Sequence, residues 1–152
     1  MLLEPKAYID EVIGDIKQSL NTNIFLPHDL KIKILPQDSR NQYGRIIRGG
    51  YNCKIRTLYL VGHFWCRKTA IHEILHATST FSWDPELCEI VKQEEEIIEG
   101  ATEFFTGYIL YTKYRNCHQK WINKEHPVCQ ISYERYVRLF GAATQMLSLI
   151  HI

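Results

Sequence analysis

The chain has 152 residues, enough for one globular domain with a real core and too few to expect two. Apolar residues make up 45% and charged residues 23%, a balance that excludes an intrinsically disordered chain. Formal net charge is +1 and no basic run stands out, so the composition carries no electrostatic footprint for nucleic acid or for an anionic membrane.

No segment approaches the ~20 apolar residues that span a bilayer. The opening Met1-Leu2-Leu3-Glu4-Pro5-Lys6 has no long apolar run behind it, so a secretory leader is not expected and the expected location is the cytoplasm. The cysteines, Cys53, Cys66, Cys88, Cys117 and Cys129, form no Cys-x-x-Cys pair. Reduced, packed thiols are expected, with a Cys117–Cys129 bridge across a loop as the alternative. Thiolate ligation of a metal is disfavoured, because cysteines at zinc usually come in closely spaced pairs.

In chain order, Tyr8, Ile9, Val12, Ile13, Ile16 and Leu20 recur at helical spacing and predict an amphipathic helix over 6–20, broken by Asn21-Thr22-Asn23. Lys31-Ile32-Lys33-Ile34-Leu35 alternates as a strand and stops at Pro36. Two more strands are expected over 45–48 and 55–61, with Gly49-Gly50-Tyr51-Asn52 as turn or bulge between them. The period becomes helical from about Cys66 to Ser79. Asp84-Pro85 reads as an N-cap with proline at the first helical position, leading towards a longer helix over roughly 93–114. A polar connection over 115–131 precedes a last helix that starts at Ser132. The expected fold is α+β: one domain over 1–152, with an N-terminal helix, a small sheet of three or four strands and three further helices.

The chemistry is concentrated in His72-Glu73-Ile74-Leu75-His76. On a helix, positions i and i+4 lie about 40° apart in rotation and roughly 6 Å apart in height, so two imidazoles can converge on one zinc ion at ~2.0–2.1 Å. Glu73 falls between them along the chain but off their line. It can reach a water held by the metal, take its proton and later deliver it to a leaving amine. Ile71, Ile74, Leu75 and Thr78 share a face turned away from the histidines, suited to packing on the sheet. The competing interpretation is a helix with two unrelated histidines and a chance glutamate; correct spacing, helical phase and position after a strand favour the metal.

A catalytic zinc usually holds three protein ligands and keeps one position open. The next histidine after His76 is His118, too far on for an extended three-histidine motif, whereas carboxylates follow in Glu94-Glu95-Glu96-Ile97-Ile98-Glu99-Gly100-Ala101-Thr102-Glu103-Phe104-Phe105. In that helix Ile97, Ala101, Phe104, Tyr108 and Ile109 form an apolar stripe, and Glu96, Glu99 and Glu103 lie nearly opposite. The acidic face is either solvated or turned towards a metal. Gly100 and Gly107 lie on the same side and favour the second reading: each costs ~1 kcal/mol in a helix interior, and small residues there let another helix approach.

With its two-histidine motif and the Ile98-Glu99-Gly100-Ala101-Thr102-Glu103-Phe104 segment, the sequence resembles the gluzincin metallopeptidases, in which a second helix supplies the third ligand. The resemblance covers about residues 44–113, with weaker hints in the final helix. It implies His72, His76 and Glu99 as zinc ligands, with Glu96 or Glu103 as alternatives for the third, and Glu73 as catalytic carboxylate. It also implies that Glu103 hydrogen-bonds a zinc histidine and fixes its tautomer. The oxyanion partner would come from later in the chain, first Tyr133, otherwise Tyr136, His118 or His126. Strand 57–61 would be the edge on which an extended peptide lies.

In its size the chain resembles the stripped-down minigluzincins, so 115–152 would have to supply the far wall of the cleft. The implied activity is zinc-dependent hydrolysis of peptide bonds in a peptide or protein substrate. A weakly active or autoinhibited zinc-fold regulator is the alternative, and hydrolysis of a non-peptide substrate a third. The apolar tail from Leu147 to Ile152 could fill a cleft or a homodimer interface, with core packing the commoner explanation. Arg45, Arg48, Arg56 and Arg67 need no role beyond surface charge.

Overall fold

The structure, a computed structural model, describes residues 4–61, 67–79, 86–88 and 95–113. It is a mixed α+β protein. The chain forms two compact units, Met1–Glu89 and Ile90–Ile152.

The first unit opens with α1, Pro5–Leu20. Proline stands at its first position, where a missing N–H costs nothing. Asn21 closes the helix in the left-handed conformation, φ 48° and ψ 43°, and its N–H bonds back to Lys17 O. Ile9, Val12 and Ile16 are buried, the i, i+3, i+7 stripe expected from the sequence.

The sheet has three strands in the order β1-β3-β2, where β1 is Lys31–Leu35, β2 is Gly49–Asn52 and β3 is Thr57–Val61. β1 runs parallel to β3, pairing Lys31 with Thr57 and Leu35 with Val61. β2 runs antiparallel to β3, pairing Gly49 with Leu60 and Asn52 with Thr57. The Asn52 side-chain carbonyl accepts from Lys54 N and Ile55 N at 3.1 and 3.3 Å and shapes the intervening turn, in which Arg56 has φ 47°. Arg56 in turn grips both carboxylate oxygens of Asp29 at 2.9 and 3.0 Å.

Two expectations are corrected here. The second strand is not 45–48: Ile46 makes only an isolated bridge to Arg40, and Gly49–Asn52, assigned to a turn, is the strand. The strand is defined by its pairing with β3, and glycine suits its first position, because a Cβ on Gly49 would come within 2.5 Å of Thr69 Cγ2 and something would have to shift. Nor is 57–61 an edge. β3 is central, with Leu58 and Leu60 buried, and both of its sides are paired. Among the described residues the outer strands are β1 and β2.

The second helix, α2, is Arg67–Thr78 and packs on α1, β2 and β3. Its core face is Ala70, Ile71, Ile74 and Ala77, all fully buried, while Leu75 and Thr78 are half-buried. Arg67, expected to be an idle surface charge, is mostly buried. It pairs with Glu11 and, at 3.6 Å, with Asp15, and its guanidinium lies 5.0 Å from the Tyr8 ring centroid. Those contacts fasten the start of α2 to α1. Arg56, bound to Asp29, is likewise not idle. Cys88 is buried and Cys53 half-buried, and no disulfide joins the two. A helical turn at 86–88 follows the expected start after Pro85.

In the second unit the described element is α3, Glu95–Lys113, within one or two residues of its expected span. The expected connection over 115–131 and final helix from Ser132 lie outside the described residues. Among the described residues no helix is long and apolar enough to cross a membrane.

Candidate metal centre

His72 and His76 are one helical turn apart on α2, and the two rings come together as the spacing predicts. Their Nε2 atoms are 3.2 Å apart, with ring centroids at 4.8 Å and planes inclined by 72°. Two nitrogens each ~2.0–2.1 Å from a shared tetrahedral zinc stand roughly 3.3–3.4 Å apart. The observed separation therefore fits a pair of ligands on one ion. It also reaches an N–H···N hydrogen bond between one donor ring and one acceptor ring, so the distance fits either arrangement.

The last turn of α2 is closed beside the second histidine. Ser79 donates to His76 O through both its backbone N–H, at 3.3 Å, and its hydroxyl, at 2.9 Å. Thr78 Oγ1 donates to Leu75 O at 2.9 Å. Terminal carbonyls that would otherwise lack partners are thereby satisfied, and the turn carrying His76 is held in helical form. Buried Ile71 and Ile74 hold the opposite face, leaving both histidines half-buried.

Glu73 is half-buried on the side of α2 that meets β2: its Cγ lies 3.7 Å from the position a Gly49 Cβ would take. The stem of the Glu73 side chain thus sits beside the first residue of β2. That neighbour was missed from the sequence, where Gly49-Gly50 reads as turn chemistry and nothing reports the approach of a helix.

On α3, Glu96 is exposed, Glu99 half-buried and Glu103 buried at 4% exposure. A solvated acidic face therefore fails at Glu103, since a carboxylate is buried only with compensation. Thr102 and Thr106 are buried on the same side, and each hydroxyl donates to the carbonyl four residues back, at 2.8 and 2.7 Å. Their polar atoms are spent within the helix, which lets this face leave water. The expected apolar stripe is split: Ile109 is buried, but Ile97 and Tyr108 are exposed. Gly100 is buried, whereas a Cβ on Gly107 would meet nothing within 4 Å. Among the described residues, then, Gly107 makes no room for a neighbour.

Among the described residues, His72, His76 and Glu99 are a set of donors that could hold a metal ion. Two imidazole nitrogens and one carboxylate oxygen suit zinc and also other borderline divalent ions, so the set fits a metal without naming it. Tyr133, Tyr136, His118 and His126 lie outside the described residues. Comparison with protein-family models, with curated proteins and with solved structures returns no match.

Proposed function

We propose that the protein is a zinc-dependent metallopeptidase, with His72, His76 and Glu99 as ligands and Glu73 as the catalytic carboxylate. The observation that carries the reading is the pair of imidazole nitrogens at 3.2 Å, with Glu73 in the chain interval between them and its Cγ close to Gly49 of β2. Zinc, when bound, supplies a Lewis acid that polarises the scissile carbonyl and makes water a competent nucleophile near neutral pH.

The chain's own residues supply the rest. Glu73 starts ionised, accepts the proton of the attacking water on a carboxylate oxygen and passes it to the departing amine nitrogen. Glu103 serves by fixing the tautomer of a ligand histidine. Tyr133 would donate a hydrogen bond from its phenolic O–H to the oxyanion. The substrate lies along β2, adding as a further strand through backbone hydrogen bonds. β2 suits this because no residue from Gly49 to Asn52 is charged and no strand among the described residues pairs with its outer side. The other edge, β1, exposes Lys31 and Lys33, the kind of charge that discourages strand addition.

The test joins zinc analysis of the purified protein to cleavage of a mixed peptide set by wild type and Glu73→Gln. One equivalent of zinc, turnover by wild type and none by Glu73→Gln is the expected result. Zinc without turnover by wild type replaces the enzyme with a regulatory protein that keeps the zinc site. Absence of zinc removes both.

A further inference from the structure

We infer that the strand edge beside Glu73 is selective for acidic segments, so that the substrates are peptides carrying Asp or Glu next to the bond that is cut. The inference rests on the metallopeptidase reading for its location and on charge for its content. From Ser39 to Val61 the chain holds Arg40, Arg45, Arg48, Lys54 and Arg56 and no acidic residue, although the protein as a whole is nearly neutral at +1. This stretch contains β2 and the loops at both of its ends.

Not all of these cations are available to a ligand. Arg56 is held by Asp29, and Arg40 Nη1 donates to Gly44 O at 2.6 Å. Lys54 stands at the far end of β2 and has an interaction of its own. Arg45 and Arg48 are exposed, and among the described residues neither enters an ion pair.

Their placement is what gives them a function. Arg48 directly precedes Gly49, the residue against which Glu73 rests. Arg45 lies three residues earlier, at most about 11 Å along the chain. It sits on an ordered turn. Asn41 N donates to Arg45 O at 2.9 Å, Arg45 N donates to the Asn41 side chain at 3.0 Å, and Gly44 takes φ 73°. The Arg40–Ile46 bridge closes that turn. A peptide extended along β2 advances about 3.3 Å per residue. Side chains within two or three residues of the scissile bond therefore pass the two guanidinium groups, which pair with carboxylates in a forked geometry. A basic peptide would meet the same cations unpaired and be repelled.

The test uses fluorescently labelled peptides of one sequence, with Glu, Gln or Lys at the two positions flanking the cleaved bond. Binding is read by anisotropy on zinc-loaded Glu73→Gln and cleavage on wild type. Exposed ion pairs are individually weak, so the Glu peptide should bind roughly fivefold more tightly than the Gln peptide, with the Lys peptide weakest. The advantage should shrink as salt is raised. It should vanish when Arg48→Glu is added and turn towards the Lys peptide when Arg45→Glu is added as well, with unchanged circular dichroism showing that the variants fold.

Equal binding of Glu and Gln peptides, tighter binding of the Lys peptide, or no binding of the Glu peptide overturns the inference. Cleavage of Glu and Gln peptides at equal rates overturns the selectivity and leaves the peptidase standing. Salt-sensitive binding of the Glu peptide, lost in Arg48→Glu but with no cleavage by wild type, overturns the peptidase and keeps the acidic-segment site. A single-stranded oligonucleotide that outcompetes the Glu peptide, and fails to do so after Arg48→Glu, overturns the assignment in favour of nucleic acid.

Discussion

The helices α2 and α3 solve opposite problems. α2 buries Ala70, Ile71, Ile74 and Ala77 and leaves its histidines half in solvent, as hydrophobic periodicity demands. α3 buries Thr102, Glu103 and Thr106 with Ile109 and Leu110, and leaves Ile97 and Tyr108 exposed. In α2 the core fixes the helix and the chemistry rides on its outer side. In α3 the polar side is itself withdrawn from water, and its hydroxyls are satisfied by back-bonding to Ile98 and Thr102. A buried carboxylate such as Glu103 does not add stability by being buried, so its position calls for a chemical reason. The comparison teaches that the polarity of a helix face does not by itself say which face is inside.

The contrast can be broken most decisively at the chemistry. Glu73→Gln should lower peptide turnover by roughly 10²–10⁴-fold, the usual contribution of a positioned acid–base group, while zinc stays bound. Loss of zinc along with activity would make Glu73 a ligand. On α3, zinc affinity measured by competition with a chelator should fall most for Glu99→Ala. Glu103→Gln should follow with a loss of roughly 10–100-fold, and Glu96→Ala should change little. The reverse order would return the acidic face to solvent and overturn the ligand assignment.

The packing side of the comparison is tested by denaturant unfolding. Ile74→Ala should cost about 2–5 kcal/mol, because it removes a fully buried side chain from the core. Ile97→Ala, on the exposed apolar side of α3, should stay within about 0.5 kcal/mol. Equal costs would mean that Ile97 is covered. Gly49→Ala should cost about 1–3 kcal/mol by pressing β2 against Thr69, and should disturb Glu73 with it.

The smallest effect belongs to a pair outside both helices. Hydrogen bonding from Arg56 holds the Asp29 carboxyl below its ordinary value of 3.8. A depressed folded-state pKa stabilises the fold at pH above the unfolded value, and the stabilisation is lost as pH falls through the folded value. The stability difference between wild type and Asp29→Asn should therefore be small and constant above about pH 5 and shrink on acidification below pH 3.8. A difference that grows on acidification would reverse the sign.

Much of this protein was legible before folding was considered. The spans of α1, α2 and α3, the strands at 31–35 and 57–61, and the convergence of His72 with His76 follow from local periodicity. A period of 3.6 residues sets which side chains share a face, whatever the rest of the chain does. Tertiary structure alone decided the remainder. It made Gly49–Asn52 a strand by pairing it with β3, a segment whose register no local pattern sets. It made β3 central and, among the described residues, put β2 on the outside near Glu73, since strand order depends on contacts between segments distant in sequence. It turned Arg56 and Arg67 from surface charges into clasps, because Asp29, Glu11 and Asp15 lie far away along the chain. The mixed burial of α3, with Glu103 inside and Ile97 outside, belongs to the same group. Periodicity separates two faces of a helix, but only the partners present in space determine which of them leaves water.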